Sequence, residues 1–268
     1  MTDSISRAAE EYFGIKADPD DAQKFRAHLV KKHGILNQEI INKVFLSGEA
    51  AAFLTVSETY FFREPAHFSL LLELLPTLRS TLRSKGTLRI CSAATSSGCE
   101  AYSIAMLIEA YNKTSNSPLS YHIDAFDINP RVIDIADKGL FGARAMREDG
   151  SCFHYLTHPF IKKVPASYQT AYQTDASLKK NIRFFVHNLM NELPSFYDII
   201  FFRNSFIYFA PQKREKVLSN LCAALEEGGF LFLGVSETAG VQHPRLAGKN
   251  RNDVFYFQKI PELRTGAL

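Results

Sequence analysis

Beyond Gly86 the chain alternates short apolar runs with helical ones, and that alternation leaves few folds open. Residues 87–93 (TLRICSA), 121–128 (YHIDAFDI), 182–190 (IRFFVHNLM), 197–204 (YDIIFFRN), 230–237 (FLFLGVSE) and 253–260 (DVFYFQKI) read as strands. Helices are expected between them at 100–112, from Pro130 to Gly139, and at 211–229, the last ending in two glycines. Short strands that are apolar on both sides are buried on both faces, so the expectation is an α/β fold: a doubly wound, mostly parallel, Rossmann-like sheet with helices above and below.

Two regions depart from the pattern. Residues 1 to about 55 hold no strand signal and read as helical, with DAQKFRAHLVKKH placing Phe25, Leu29 and Val30 inward before Gly34 stops it. Asn37 is expected to cap the next helix, with Ile40, Ile41 and Val44 inward. Residues 61–83 are again helical, with a break expected at Pro76. The second departure is 139–181, where YQTAYQT (168–174) has a period of two and suggests a small, partly β insertion. The expected division is an N-terminal helical domain at 1–60 and a second domain at 61–268 that carries the insertion.

Composition narrows the functional classes. A net charge of +3 is too small to argue nucleic-acid binding. No apolar run reaches the ~18 residues of a membrane span. The opening MTDSISRAAEEYF lacks the basic-then-apolar grammar of a signal peptide. Cys91, Cys99, Cys152 and Cys222 form no CxxC pair, so neither zinc nor a disulfide framework is indicated. A cytoplasmic protein with reduced thiols and no metal is expected, and nothing demands more than a monomer.

Chemistry concentrates where the strands end. In doubly wound sheets ligands bind outside the carboxyl ends of the strands, here Ala93 to Gly98 with Glu100, Asp127 with Asn129, Asn188 with Leu189, Arg203 with Asn204, and Ser236 with Glu237. Asp127 suits a ribose, whose two hydroxyls a carboxylate accepts, or it caps the Pro130 helix. One glycine, Gly98, stands where a pyrophosphate-binding turn needs three, which disfavours NAD and FAD. S-adenosylmethionine carries no phosphate and tolerates a looser turn. Glu100 either meets a ligand ammonium or favours the positive end of its own helix. Asn188 contacts a base or closes a side-chain turn. Arg63 and Arg203 each edge an aromatic run (TYFFREPAHF and DIIFFRNSFIYF), and a guanidinium so placed meets a fixed anion. His67 and Tyr208 have ready structural readings as core side chains.

The ordered blocks TYFFREPAHF, CSAATSSGCEAYSIA, AFDINPRVI, FFVHNLM, YDIIFFRNSFIYF and GGFLFLGVSE resemble the CheR-type chemotaxis receptor methyltransferases, over residues 20–260. That family transfers a methyl group from S-adenosylmethionine to glutamate side chains of chemoreceptors, leaving methyl esters and S-adenosylhomocysteine. Carried over residue by residue, the resemblance implies cofactor contacts at Ser57, Thr59, Arg63, Glu100, Asp127, Asn188, Leu189, Arg203 and Asn204, with Ser57 standing where the family often has asparagine. It implies active-site roles for Arg63 and Tyr208. The family commonly reads GEEPYS where this chain has Gly98 to Ser103 with Cys99 in place of one acid.

Some members also grip a receptor's C-terminal pentapeptide through a Gly-x-Gly turn in the insertion, but no glycine lies between Cys152 and Asn181. Recognition of the helical cytoplasmic region of a receptor is expected to run without that tether, through Lys24, Arg26, Lys31 and Lys32, which would meet an acidic coiled-coil surface. No [DNS]PP[YFW] motif follows the fourth strand, so an amino-methylating DNA enzyme is not indicated.

Overall fold

The computed structural model describes residues 4–81, 86–147, 153–165 and 171–262. Short helical turns at Ser4–Ala8 and Ala9–Phe13 precede α1 (Pro19–His33) and α2 (Gln38–Leu46). Asp18 caps α1 by accepting from Asp20 N, with Pro19 in the first turn where its missing N–H costs nothing. Asn37 caps α2 by accepting from Ile40 N, as expected. Phe25 and Leu29 are buried, whereas Val30 is 43% exposed and points to solvent.

After the short Ala51–Leu54 helix comes α3 (Pro65–Thr81), which runs through Pro76 without a break. Pro76 removes one backbone bond, but it sits on the exposed side while Phe68, Leu71, Leu74, Leu75 and Leu78 are buried along the other. Apolar burial of that face outweighs the local cost.

The expected α/β alternation follows: β1 (Thr87–Ala93), α4 (Cys99–Thr114), β2 (Ser120–Asp127) and α5 (Pro130–Lys138). The insertion contributes β3 (Leu140–Gly142), β4 (Ile161–Val164) and β5 (Ala171–Thr174), an antiparallel sheet in the order β3-β5-β4. The first part of YQTAYQT and Cys152 lie outside the described residues. The chain then returns to the main sheet with β6 (Ile182–Val186), β7 (Tyr197–Phe202), α6 (Pro211–Ala224), β8 (Leu225–Leu233), β9 (Leu246–Arg251) and β10 (Val254–Lys259).

The main sheet has the order β6-β2-β1-β7-β8-β10-β9, with β6 to β8 parallel and β10 and β9 antiparallel. Strand β9 was not foreseen. Its hairpin to β10 turns at Asn252 and Asp253, both left-handed (φ 52 and 61), which is the geometry that matches strand twist in a two-residue turn. The helix expected to reach Gly229 ends at Ala224. The EEGG run is instead an irregularity in β8, where the partner of Tyr197 is Leu225 and that of Ile199 is already Phe230. Gly229 is required there, because a Cβ would stand 2.9 Å from the Asp198 carbonyl oxygen.

Two apolar cores flank the sheet. One joins α3 and α4 to Ile90, Phe201 and Phe232. The other joins the N-terminal helices and α6 to Cys91, Ile200 and Leu233. Successive strand residues thus face opposite cores, as a doubly covered sheet requires.

Candidate functional site

The carboxyl ends of β1, β2, β6 and β7 open onto two adjoining compartments. The larger, about 400 Å³, has a mostly apolar wall of Phe13, Leu54, Phe126, Ile128 and Leu189, with Asp127, Asn188 and Tyr208 among its polar members. Residues 13–21, leading into the first turn of α1, close one side. The smaller is polar and lined by Thr59, Arg63, Ser96, Glu100, Arg203 and Asn204. Asp127 and Tyr208 belong to both walls and stand at the junction.

Arg203 organises the polar compartment. Its side chain is buried, with Nη1 donating to Glu100 Oε2 at 3.1 Å and Nη2 to Glu64 Oε2 at 3.0 Å and to the Arg63 carbonyl. The guanidinium also lies over the Phe68 ring, 5.4 Å from its centroid. The fixed anions that the sequence required for this arginine are therefore the protein's own. Glu64 further accepts from Asn204 Nδ2 at 2.8 Å and sits 3.3 Å from His67 Nδ1. Burial opposes its ionisation, but His67, Arg203 and Asn204 outweigh that and hold the carboxyl well below the usual range. Burial pushes Glu100 up, against the pull of Arg203 and of Ser92 Oγ at 2.8 Å. His67 is 2% exposed, with burial lowering its pKa and its ring edge-on to Phe232; it is a core histidine.

Asp127 accepts from the backbone N–H of Ser96 at 2.9 Å and of Asn129 at 3.0 Å, so β2 and the turn after β1 are tied at one carboxylate. Burial raises its pKa while those N–H groups oppose the shift. Asn188 has both side-chain ends engaged, Nδ2 with the Tyr12 carbonyl at 2.5 Å and Oδ1 with Met190 N at 2.9 Å, which is the turn-closing role. Leu189 is buried in the cavity wall. Arg63, for which a fixed anion was also expected, donates instead to the Glu58 carbonyl at 2.9 Å and lies over the Tyr60 ring, and Tyr208, 37% exposed, lines the same compartment. Ser57 is exposed and lines neither compartment.

Two acids organise the site through contacts that no local pattern in the chain announces. Glu64 follows Arg63, and Glu237, expected at a strand end, is a buried side chain that accepts from the N–H groups of Asn204 (2.6 Å), Gly234 (2.8 Å) and Ile207 (3.2 Å). The backbone around the site is strained. Phe62, Glu64, Ala94, Ser96 and Asn204 are all left-handed, with φ between 52 and 57. Such conformations cost of order 1 kcal/mol each and persist where surroundings impose them, often at ligand sites. Cys99 is elsewhere in character. It is buried in the apolar core, lines neither compartment, and burial pushes its thiol to about 12.

The four basic residues of α1 do not form one face. Lys24 and Lys31, seven apart, share a side, while Arg26 and Lys32 lie on opposite flanks. Lys24 pairs with Asp21 at 3.0 Å and Lys32 with Glu49 at 2.8 Å.

Residues 57–254 match the family described as CheR methyltransferase, SAM binding domain, and so span every strand end just described. The chain belongs to the CheR methyltransferase family. A probable chemotaxis protein methyltransferase of Rhizobium etli is 33% identical over 192 residues, covering 70% of this chain and 70% of that protein. Chemotaxis protein methyltransferase 1 of Vibrio cholerae is 34% identical over 193 residues, covering 69% and 66%. A probable biofilm formation methyltransferase of Pseudomonas aeruginosa, WspC, is 31% identical over 230 residues, covering 82% of this chain and 51% of that protein. The chain thus spans between half and seven tenths of these relatives.

The cofactor of this CheR-family chain is S-adenosylmethionine, and the residues present suit it. The larger cavity is within the range of small-ligand pockets and offers an apolar wall with a carboxylate at its edge. In the polar compartment, Ser96 Oγ and Arg203 Nε are buried without a hydrogen-bond partner among the described residues, so that wall has capacity to spare for a polar ligand group. Among the described residues no helix is long and apolar enough to cross a membrane.

Proposed function

We propose that the protein methylates glutamate side chains of chemoreceptor-type signalling proteins, with Arg63 and Tyr208 acting on the acceptor. The observation that carries this reading is the junction of the two compartments, where a carboxylate for a ribose and a half-exposed tyrosine stand at the edge of the compartment that Arg63 lines. When bound, S-adenosylmethionine supplies an electrophilic methyl group on a sulfonium. Asp127 would hold the ribose, Leu189 and the turn closed by Asn188 the base, and Thr59, Arg63, Glu100 and Asn204 the amino-acid end. Arg203 would serve by fixing Glu100 and Glu64 in place.

A glutamate acceptor is ionised at neutral pH and needs no base, so the protein's task is positioning. Arg63 orients the incoming carboxylate, and its own orientation is held by the Glu58 carbonyl and the Tyr60 face. Tyr208 donates a hydrogen bond near the reacting centre, its backbone fixed because its carbonyl accepts from Lys16 N at 2.8 Å. The acidic surface of a receptor coiled coil is proposed to meet α1, chiefly Lys24 and Lys31, in the cytoplasm and without C-terminal tethering. The biofilm-named relative makes a receptor of another signalling array an equally suitable acceptor.

Calorimetric titration with S-adenosylhomocysteine tests the donor half of the site: Asp127→Ala is expected to weaken binding at least tenfold, or about 1.4 kcal/mol. Transfer of labelled methyl to a purified receptor cytoplasmic fragment tests the acceptor half. Label that mild alkali releases marks a carboxyl ester, and Arg63→Ala should abolish its incorporation. Tight S-adenosylhomocysteine binding with no transfer to any receptor fragment would instead indicate a cofactor-sensing module.

A further inference from the structure

The polar compartment opens beneath an apolar ledge that no other part of the described chain covers. Val56 is 59% exposed, Ile207 49% and Val235 67%, each on a different loop. Val56 lines both compartments, and Ile207 precedes Tyr208 at their junction. Val235 stands next to that compartment, its backbone N–H 3.4 Å from the Oε2 of Glu64, which itself binds the lining residues Arg203 and Asn204. The Ile207 and Val235 loops are held by acids: the buried Glu237 fixes Asn204, Ile207 and Gly234 through their N–H groups, and Glu64 fixes the Asn204 side chain. Large apolar side chains held rigidly in solvent beside a site mark a contact surface, because little ordering is left to oppose binding. The rim beside the ledge carries Arg63, together with Arg147 paired to Glu58 Oε1 at 2.7 Å. Arg63 and Arg147 both lie over the Tyr60 ring, 5.7 and 5.1 Å from its centroid.

We propose that Val56, Ile207 and Val235 form the docking ledge for the methyl-accepting segment, a stretch of partner protein that presents a glutamate flanked by apolar side chains. Arg63 selects the carboxylate and the ledge selects its neighbours. This rests on the reading of a protein glutamate as acceptor, and it places part of the substrate preference beside the site.

The test uses a purified receptor cytoplasmic fragment with saturating S-adenosylmethionine, and serine substitutions, because an added acid would repel the partner whatever the ledge does. Val235→Ser and Ile207→Ser should each raise KM several-fold and together about tenfold, by loss of apolar contact. The S-adenosylhomocysteine affinity and kcat should stay within about twofold. Replacing the apolar neighbours of the methylated glutamate by serine should raise KM for the wild-type enzyme and add little in the double variant, the signature of a shared contact. An unchanged KM in the double variant would overturn the ledge, as would an apolar-to-serine fragment that loses as much with the variant as with the wild type. So would a wild-type dimer that the variant disperses while KM holds, since the face would then bind a second copy. If wild type binds S-adenosylhomocysteine but methylates no fragment, the acceptor reading fails and the ledge falls with it.

Discussion

At the scale of single residues, the buried triad of Arg203, Glu64 and Glu100 shows how charge is kept inside an apolar setting. One guanidinium serves two carboxylates, and the two answer differently: the neighbours of Glu64 hold it ionised, while burial pushes Glu100 up. Removing one partner of a buried pair leaves the other uncompensated, so Glu64→Gln should cost about 3 kcal/mol at pH 7 in urea unfolding. A depressed folded-state pKa contributes stability above the unfolded value and loses it as pH falls. The deficit of Glu64→Gln against wild type should therefore shrink progressively below about pH 5. Cys99 offers the opposite case. Its burial in the core predicts that Cys99→Ala leaves S-adenosylhomocysteine affinity within about twofold, despite the acid commonly found there in the family, and that the native thiol resists alkylation.

At the scale of elements, the turn from β1 into α4 is where local geometry meets the site. Gly98 is left-handed at φ 88, and a Cβ there would stand 2.8 Å from Ala136 Cβ on α5. Gly98→Ala should lose about 1 kcal/mol from the backbone term and more from the clash, lowering Tm by at least about 3 °C. Because Ser96 N belongs to the same turn and donates to Asp127, S-adenosylhomocysteine affinity should fall with it. The strands beside this turn and the helix starts elsewhere were legible in sequence, since the β1 run, Asn37 and Pro130 act through their immediate neighbours. The irregularity in β8 was not, because EEGG ends a helix equally well until the Asp198 carbonyl is known to approach Gly229.

At the scale of the whole molecule, the N-terminal helices are bound into the catalytic region. Ile5, Phe25, Leu29 and Leu54 share a buried cluster with Cys91, Ile200 and Leu233 of the sheet. Residues 14–16 also pair with 208–210 beside Tyr208, through the Ile15–Phe209 bridge. Leu29→Ala should therefore cost about 3 kcal/mol. It should lower the thermal midpoints of helical ellipticity and of bound S-adenosylhomocysteine release together. An early helical transition that leaves ligand bound would show the N-terminal region to be an independent folding unit.

By itself the sequence determined the order of the elements, the doubly covered parallel sheet and the strand ends where polar residues gather, since apolar periodicity and turn chemistry act over a few residues. The family resemblance pointed to several of the same strand-end residues and added Ser57, which lines neither compartment. What each arginine meets was decided only in three dimensions: Arg203 pairs with Glu64, 139 residues away, while Arg63 meets a carbonyl and a ring, and Asn188 reaches back 176 residues to Tyr12. Pairings of that kind depend on distances through space and on the dielectric around them, and no local pattern in the chain encodes either.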